Sequence, residues 1–127
     1  VIDFSEWRSR RFDLAYVGND RSIARRKRNM HFLADPRLAT TTHGLSRKHC
    51  TDWPNHVVGE KVALEEVAAI HASARFCLVT CDPRHSSWEV GYTIRVVQGL
   101  QGTTLCAFHA AYPTEFIFRG LPHAELA

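Results

Sequence analysis

A chain of 127 residues, 45% hydrophobic and 23% charged, is long enough for one domain with one core and has the balance of an ordinary soluble globular protein. No run is apolar enough for a membrane span, no secretory leader is legible (a start at Val1 leaves earlier trimming open), and four cysteines are too few for a disulfide scaffold. The net charge of +3 is mild, but Arg8, Arg10, Arg11, Arg21, Arg25, Arg26, Lys27 and Arg28 crowd the amino-terminal part, which suits either a phosphate or nucleic-acid contact or a solvated helix face.

Residues 1–12 read as an N-terminal extension with little pattern, and 13–127 as a single α/β domain. Phe12 to Val17 predicts the first strand, stopped by Gly18-Asn19-Asp20. Arg21 to about Leu33 predicts a helix, with Asn19 or Asp20 as its N-cap and Ile23, Met30 and Leu33 as its apolar residues. The threonine-rich stretch Leu38 to His43 suits a second strand ending at Gly44. Ser46 to His56 reads as a polar loop. Gly59 to Ser73 is the clearest helix pattern, with Val62, Leu64, Val67, Ala68 and Ile70 as its stripe and His71 on the solvated side. Arg75 to Cys81 predicts the third strand, Trp88 to Leu100 the third helix, and Thr103 to Phe108 the fourth strand. Phe116-Ile117-Phe118 offers a last strand or a packed turn. Cys77 and Cys106 fall in apolar strand-like runs and read as reduced core thiols, which points to an intracellular compartment, cytoplasmic or organellar.

Strands alternating with helices predict a three-layer, doubly wound (flavodoxin- or Rossmann-like) parallel sheet of four to five strands with helices on both faces. Right-handed crossovers put the loops after the first, third and fourth strands on one edge. There Gly18 faces the segment Asp82 to Glu89. Glycine lets a ligand approach the backbone, Ser86 and Ser87 offer hydroxyls and N–H groups to an anion, and Glu89 is placed to attack an electrophilic carbon or shield a developing cation. Taken alone, the loop suits a plain structural role more readily, with Ser86 or Ser87 as N-cap and Glu89 closing a capping box or meeting the helix dipole. His43, His49, Cys50 and His56 lie close in sequence, but their spacing lacks the paired short steps of a zinc site. Neither a metal nor a cofactor is called for.

The string Trp88-Glu89-Val90-Gly91-Tyr92, behind Asp82 and ahead of Leu105-Cys106-Ala107-Phe108, resembles the nucleoside 2-deoxyribosyltransferase family, closest to its 2'-deoxynucleoside 5'-phosphate N-hydrolase branch. Tyr16-Val17-Gly18, the helix Glu66 to Ser73 and Asn19-Asp20-Arg21 match further elements of that family. The resemblance implies an enzyme, a hydrolase or transferase of nucleotide metabolism, that cleaves or transfers the N-glycosidic bond of a nucleoside or nucleoside 5'-monophosphate. It implies Glu89 as nucleophile, Tyr16 as the residue holding its carboxylate, and Asp82 touching the base or assisting protonation. Gly18, Asn19, Arg21, Ser86 and Ser87 would bind the sugar or its phosphate. A homodimer is implied too, with Trp88, Tyr92 and the tail aromatics at its interface. An oxocarbenium-like transition state beside a carboxylate is sound chemistry. The other reading is a catalytically idle member of the same fold that binds RNA or a larger assembly through Arg21, Arg25, Arg26, Lys27 and Arg28.

Overall fold

The computed structural model describes residues 3–18, 23–50, 52–79, 102, 104–109 and 125–126. Among them, six strands form one parallel sheet: β1 (Phe12–Val17), β2 (Thr40–His43), β3 (His56–Gly59), β4 (Ala74–Val79), β5 (Leu105–His109) and β6 (Glu125–Leu126). Their spatial order is β3-β2-β1-β4-β5-β6. The helices are α1 (Phe4–Arg8), α2 (Ile23–Leu33) and α3 (Val67–Ala72). α2 carries the chain from β1 outward to β2, whereas α3 brings it back from β3 across to β4. Right-handed crossovers running in opposite directions place these two helices on opposite faces of the sheet. The expected doubly wound α/β architecture is the one found. No helix among the described residues is long and apolar enough to cross a membrane.

One face of the sheet packs Leu14, Tyr16, Leu78 and Ala107 against Leu33 of α2, joined by Leu45 and Cys50. β1 runs Phe-Asp-Leu-Ala-Tyr-Val with all but Asp13 buried, the pattern of a strand covered on both sides. β2 buries Thr40, Thr41 and Thr42, and each hydroxyl has a partner. Thr40 gives its proton to the Leu33 carbonyl (2.8 Å) and so accepts from His56 Nδ1–H (2.6 Å). The other ring nitrogen of His56 then accepts from Thr42 (3.0 Å).

Several expected boundaries move. His56, read as the end of a loop, opens β3, which pairs with β2 from Thr40↔His56 to His43↔Gly59. Together with the two-residue β6 this takes the sheet beyond the four to five strands expected. The helix expected over Gly59 to Ser73 is confined to a 3-10 turn at Leu64–Glu66 and α3. Gly59 belongs to the sheet, and the Glu66 carboxylate accepts the Ala63 N–H (3.0 Å), which starts the helical turn only there. Leu64, counted in the apolar stripe, is exposed. His71, read as solvated, is 2% exposed, because it lies one helical turn after Val67 on the face that meets the sheet. In α2, Ile23 and Met30 are exposed, and the buried positions are Asn29 and Leu33. The helix expected over Trp88 to Leu100, and the tail aromatics, lie outside the described residues.

The stretch 1–12 contributes to the fold. Asp3 caps α1 by accepting the N–H groups of Ser5 (2.9 Å) and Glu6 (3.3 Å). Trp7 donates its indole N–H to the Arg75 carbonyl (2.8 Å) and meets Phe76 edge to face, with ring centroids 5.6 Å apart. Arg10, buried, donates to the Glu6 carboxylate (2.9 Å), the Ala74 carbonyl (3.0 Å) and the Thr104 hydroxyl (3.2 Å). Arg75 in turn binds the Asp13 carboxylate and the Arg8 carbonyl (2.7 Å). These groups brace the amino edge of the sheet, where β1, β4 and β5 begin.

Candidate functional site

The strand order turns around at β1: chain connections run outward from it to β2 and β3, then cross back to β4. Open α/β sheets place their ligand crevice at such a switch point, outside the carboxyl ends of the strands. β1 and β4 pair in parallel, Leu14 beside Phe76 and Ala15 beside Cys77. Gly18 therefore follows β1 on the same edge at which the chain leaves β4 after Val79. The segment leaving there carries Asp82, Ser86, Ser87 and Glu89 in sequence. The two loops singled out in the sequence thus start from neighbouring strands at the switch point. Omitting the short β3 leaves the 2-1-3-4-5 order of the flavodoxin-like folds, while including it gives the 3-2-1-4-5-6 order of the Rossmann fold; both obey the same rule.

Three adjacent strands end in glycine on this edge: Gly18 after β1, Gly44 after β2 and Gly59 in β3. Each is required by a different neighbour. A Cβ on Gly18 would stand 2.7 Å from the Tyr16 hydroxyl oxygen. Gly44 has φ +99°, and its Cβ would meet the Gly18 carbonyl oxygen at 2.4 Å; only glycine takes both the conformation and the approach. A Cβ on Gly59 would run into the His43 ring. At each position a neighbour already takes the space: the Tyr16 hydroxyl beside Gly18, the Gly18 carbonyl beside Gly44 and the His43 ring beside Gly59. Gly18 N–H donates to the His43 carbonyl (3.0 Å), and His43 Nδ1–H donates to the Glu60 carbonyl (3.0 Å), which fixes that imidazole's tautomer.

Tyr16 and Gly18 are the two expected site residues within the described set. The structure brings them together: Tyr16, 4% exposed, sits in the core with its hydroxyl reaching Gly18. Asn19, Arg21, Asp82, Ser86, Ser87 and Glu89 lie outside the described residues. Of the basic stretch, Arg25 to Arg28 lie on α2, where Arg26 and Arg28 are half-buried and Lys27 is exposed. Arg26 Nη1 lies 3.2 Å and 3.0 Å from the two ring nitrogens of His49. A donor that near to both cannot follow either lone pair in the ring plane. That nitrogen therefore sits to one side of the imidazole plane.

Arg47 pairs with Glu60 at the surface, and the Arg47 guanidinium beside Glu60 holds that carboxyl below its usual range. With Lys48 exposed and Arg26 on His49, the rim on the β2–β3 side of the switch point is mainly basic. The four residues considered for zinc have separate partners: His43 with Glu60, His49 with Arg26, His56 with Thr40 and Thr42, and Cys50 with the Ser46 carbonyl. Among the described residues no three His, Cys, Asp or Glu side chains converge.

The sequence marked Gly44 only as the end of a strand and Gly59 as the start of a helix, and it gave no sign of the Arg26–His49 contact. Gly44 and Gly59 each end a threonine- or valine-bearing run, and that repeated strand–glycine punctuation was the available signal. The Arg26–His49 contact joins residues 23 apart and has no local signature.

Several solved structures share this fold. A mutant of T4 phage BGT in complex with UDP-glucose is 20% identical, with a TM-score of 0.73 over 92% of this chain and 34% of that one. T4 phage BGT in complex with UDP and Mn2+ is 20% identical, with a TM-score of 0.65 over 79% of this chain and 30% of that one. The DNA modifying enzyme beta-glucosyltransferase, in the presence and absence of its substrate uridine diphosphoglucose, is 19% identical, with a TM-score of 0.73 over 92% of this chain and 37% of that one. The likeness is one of fold, and the chain spans about a third of the length of these structures. No family model matches the chain. No curated protein matches its sequence.

Proposed function

We propose that this chain binds a nucleotide-linked sugar at the carboxyl edge of β1 and β4 and acts on the bond at the sugar's anomeric carbon. The observation that carries this reading is the switch point itself: β1 and β4 are adjacent parallel strands, Gly18 follows the one, and Asp82 to Glu89 come soon after the other in sequence. The basic rim formed by Arg26, Arg47 and exposed Lys48 favours phosphate. Fold likeness to structures holding UDP or UDP-glucose supports sugar-transfer chemistry.

In the proposed mechanism the Glu89 carboxylate attacks the anomeric carbon as the bond to the leaving group breaks. The leaving group takes the bonding electrons, and water or an acceptor hydroxyl then receives the sugar. Tyr16, its ring held in the core, positions the carboxylate from the Gly18 side. Asp82 assists protonation of the leaving group. Gly18, Asn19, Arg21, Ser86 and Ser87 hold the sugar and its phosphate. The deoxyribosyltransferase resemblance favours an N-glycosidic bond; the fold neighbours favour a glycosyl–phosphate bond.

Chromatography after incubation with 2'-deoxynucleoside and ribonucleoside 5'-monophosphates, their nucleosides and UDP-, ADP- and GDP-hexoses separates the two. Free base identifies N-glycosidic cleavage, and free nucleoside diphosphate identifies nucleotide-sugar chemistry. Glu89→Ala should lose activity by orders of magnitude on whichever substrate turns over. No product from any of them, or an undiminished Glu89→Ala rate, would refute the reading.

A further inference from the structure

Cys77 and Cys106 stand directly opposite each other on β4 and β5, where they form one of the register pairs of the sheet. Cys77 S–H donates to the Cys106 sulfur at 3.6 Å. Both thiols are reduced; Cys77 is buried and Cys106 is half-buried. Neighbouring strands lie about 4.8 Å apart, inside the Cα range of about 4.4–6.8 Å that a disulfide spans. The sulfurs need only close the remaining gap by side-chain rotation and a small strand shift. We infer that Cys77 and Cys106 are a peroxide-oxidisable dithiol, a modification site that converts reversibly to a disulfide between β4 and β5.

The two thiols have unequal roles. The hydrogen bond to Cys106, together with burial, pushes the Cys77 thiol up. Accepting that bond favours the thiolate at Cys106, and Cys106 is also the less buried of the two residues. The Cys106 thiolate therefore attacks one peroxide oxygen; the O–O bond breaks and hydroxide leaves, giving a sulfenic acid. The Cys77 sulfur then attacks the sulfenic sulfur. The S–S bond forms, the S–O bond breaks, and the departing hydroxyl leaves as water with the Cys77 proton. Two thiol electron equivalents reduce one peroxide.

The cross-link joins residues 29 apart in sequence and ties β4 to β5 on either side of the segment bearing Asp82 and Glu89. The site is independent of the proposed activity, since it rests on two sheet positions and their distance. No redox role is required of Cys50, whose sulfur donates to the Ser46 carbonyl, nor of Cys81.

The experiment titrates the folded chain with hydrogen peroxide, alkylates remaining thiols under denaturing conditions and measures intact mass without reductant. Of the four thiols, two should be protected from alkylation, with a mass lower by two hydrogens and full reversal by dithiothreitol. The double variant Cys50→Ser/Cys81→Ser should behave in the same way, and Cys106→Ser should form no intrachain cross-link. If a variant fails to fold, fragmentation of the cross-linked tryptic peptides of the unaltered chain decides the pairing. A Cys77–Cys106 link supports the inference. A link through Cys81, a link between chains, or oxygen adducts with no cross-link would overturn it.

Discussion

At the amino edge of the sheet, charged side chains do the bracing; at the carboxyl edge, glycines replace them. Arg10 and Arg75 reach across the starts of β1, β4 and β5, and nearly every donor they carry meets a carboxylate, carbonyl or hydroxyl. Burial raises the Asp13 carboxyl, but the Arg75 guanidinium and the Ala39 N–H outweigh it and hold Asp13 below its usual range. At the other edge Gly18, Gly44 and Gly59 remove side chains from three strands in succession. The ion pair nearby, Arg47 with Glu60, is exposed and adds little to stability. The two edges are filled differently, by long charged side chains at one and by ring and backbone atoms packed on glycine at the other.

Substitutions can break that division of labour. The largest stability effect should come from Arg10→Ala, which leaves the Ala74 carbonyl and Thr104 hydroxyl without its donation. A loss of about 2–3 kcal/mol is expected in urea unfolding, with turnover per folded molecule unchanged. A loss below about 0.5 kcal/mol would mean that the amino edge is not the frame. Gly18→Ala should cost less stability, about 1–2 kcal/mol, because the Tyr16 ring must yield to the methyl group. On the proposed substrates, however, kcat/KM should fall further than for Arg10→Ala. Equal activity losses for the two variants would erase the contrast between the edges.

The smallest effect is a pH dependence at His56, which opens β3 on the amino side. Burial lowers this imidazole, and Thr42 donates to the nitrogen that would take the added proton. The unfolded chain therefore binds that proton at higher pH than the folded one. Stability is full above about pH 6.5, the unperturbed value, and declines as pH falls through it toward the depressed folded value. The urea midpoint should be lower at pH 5 than at pH 7, and His56→Gln should flatten that difference. An equally steep decline in the variant would assign the effect to other groups.

The fold class was legible because β1, β2, β4 and β5 are apolar or β-branched runs closed by glycine or polar turns, and Phe12–Val17 coincides with the observed strand. β3 was not, since His-Val-Val-Gly is too short to alternate visibly and follows a polar loop. The length of α3 was overread because Val62 and Leu64 share the helical period without being in the helix. α1 did have a signature that went unread: Asp3 followed three residues later by Glu6. Of the site, the pairing of Tyr16 with Gly18 and the shared edge could be read from alternation and handedness. The glycine lining could not, because it depends on neighbours such as His43 that only the register brings beside Gly59.

The central position of β1 also sets an order of events during synthesis. Trp7, Arg10, Phe12 and Asp13 take their partners from residues 73–76, and Arg75 is 62 residues downstream of Asp13. At ~5–20 residues per second, β1 is complete for roughly 3–12 s before β4 exists to pair with it. Until then, its apolar row has β2 as its one partner strand and α1 has no surface to dock on. The strand that anchors the finished sheet is therefore the one whose assembly waits longest, and non-local pairing of this kind slows folding.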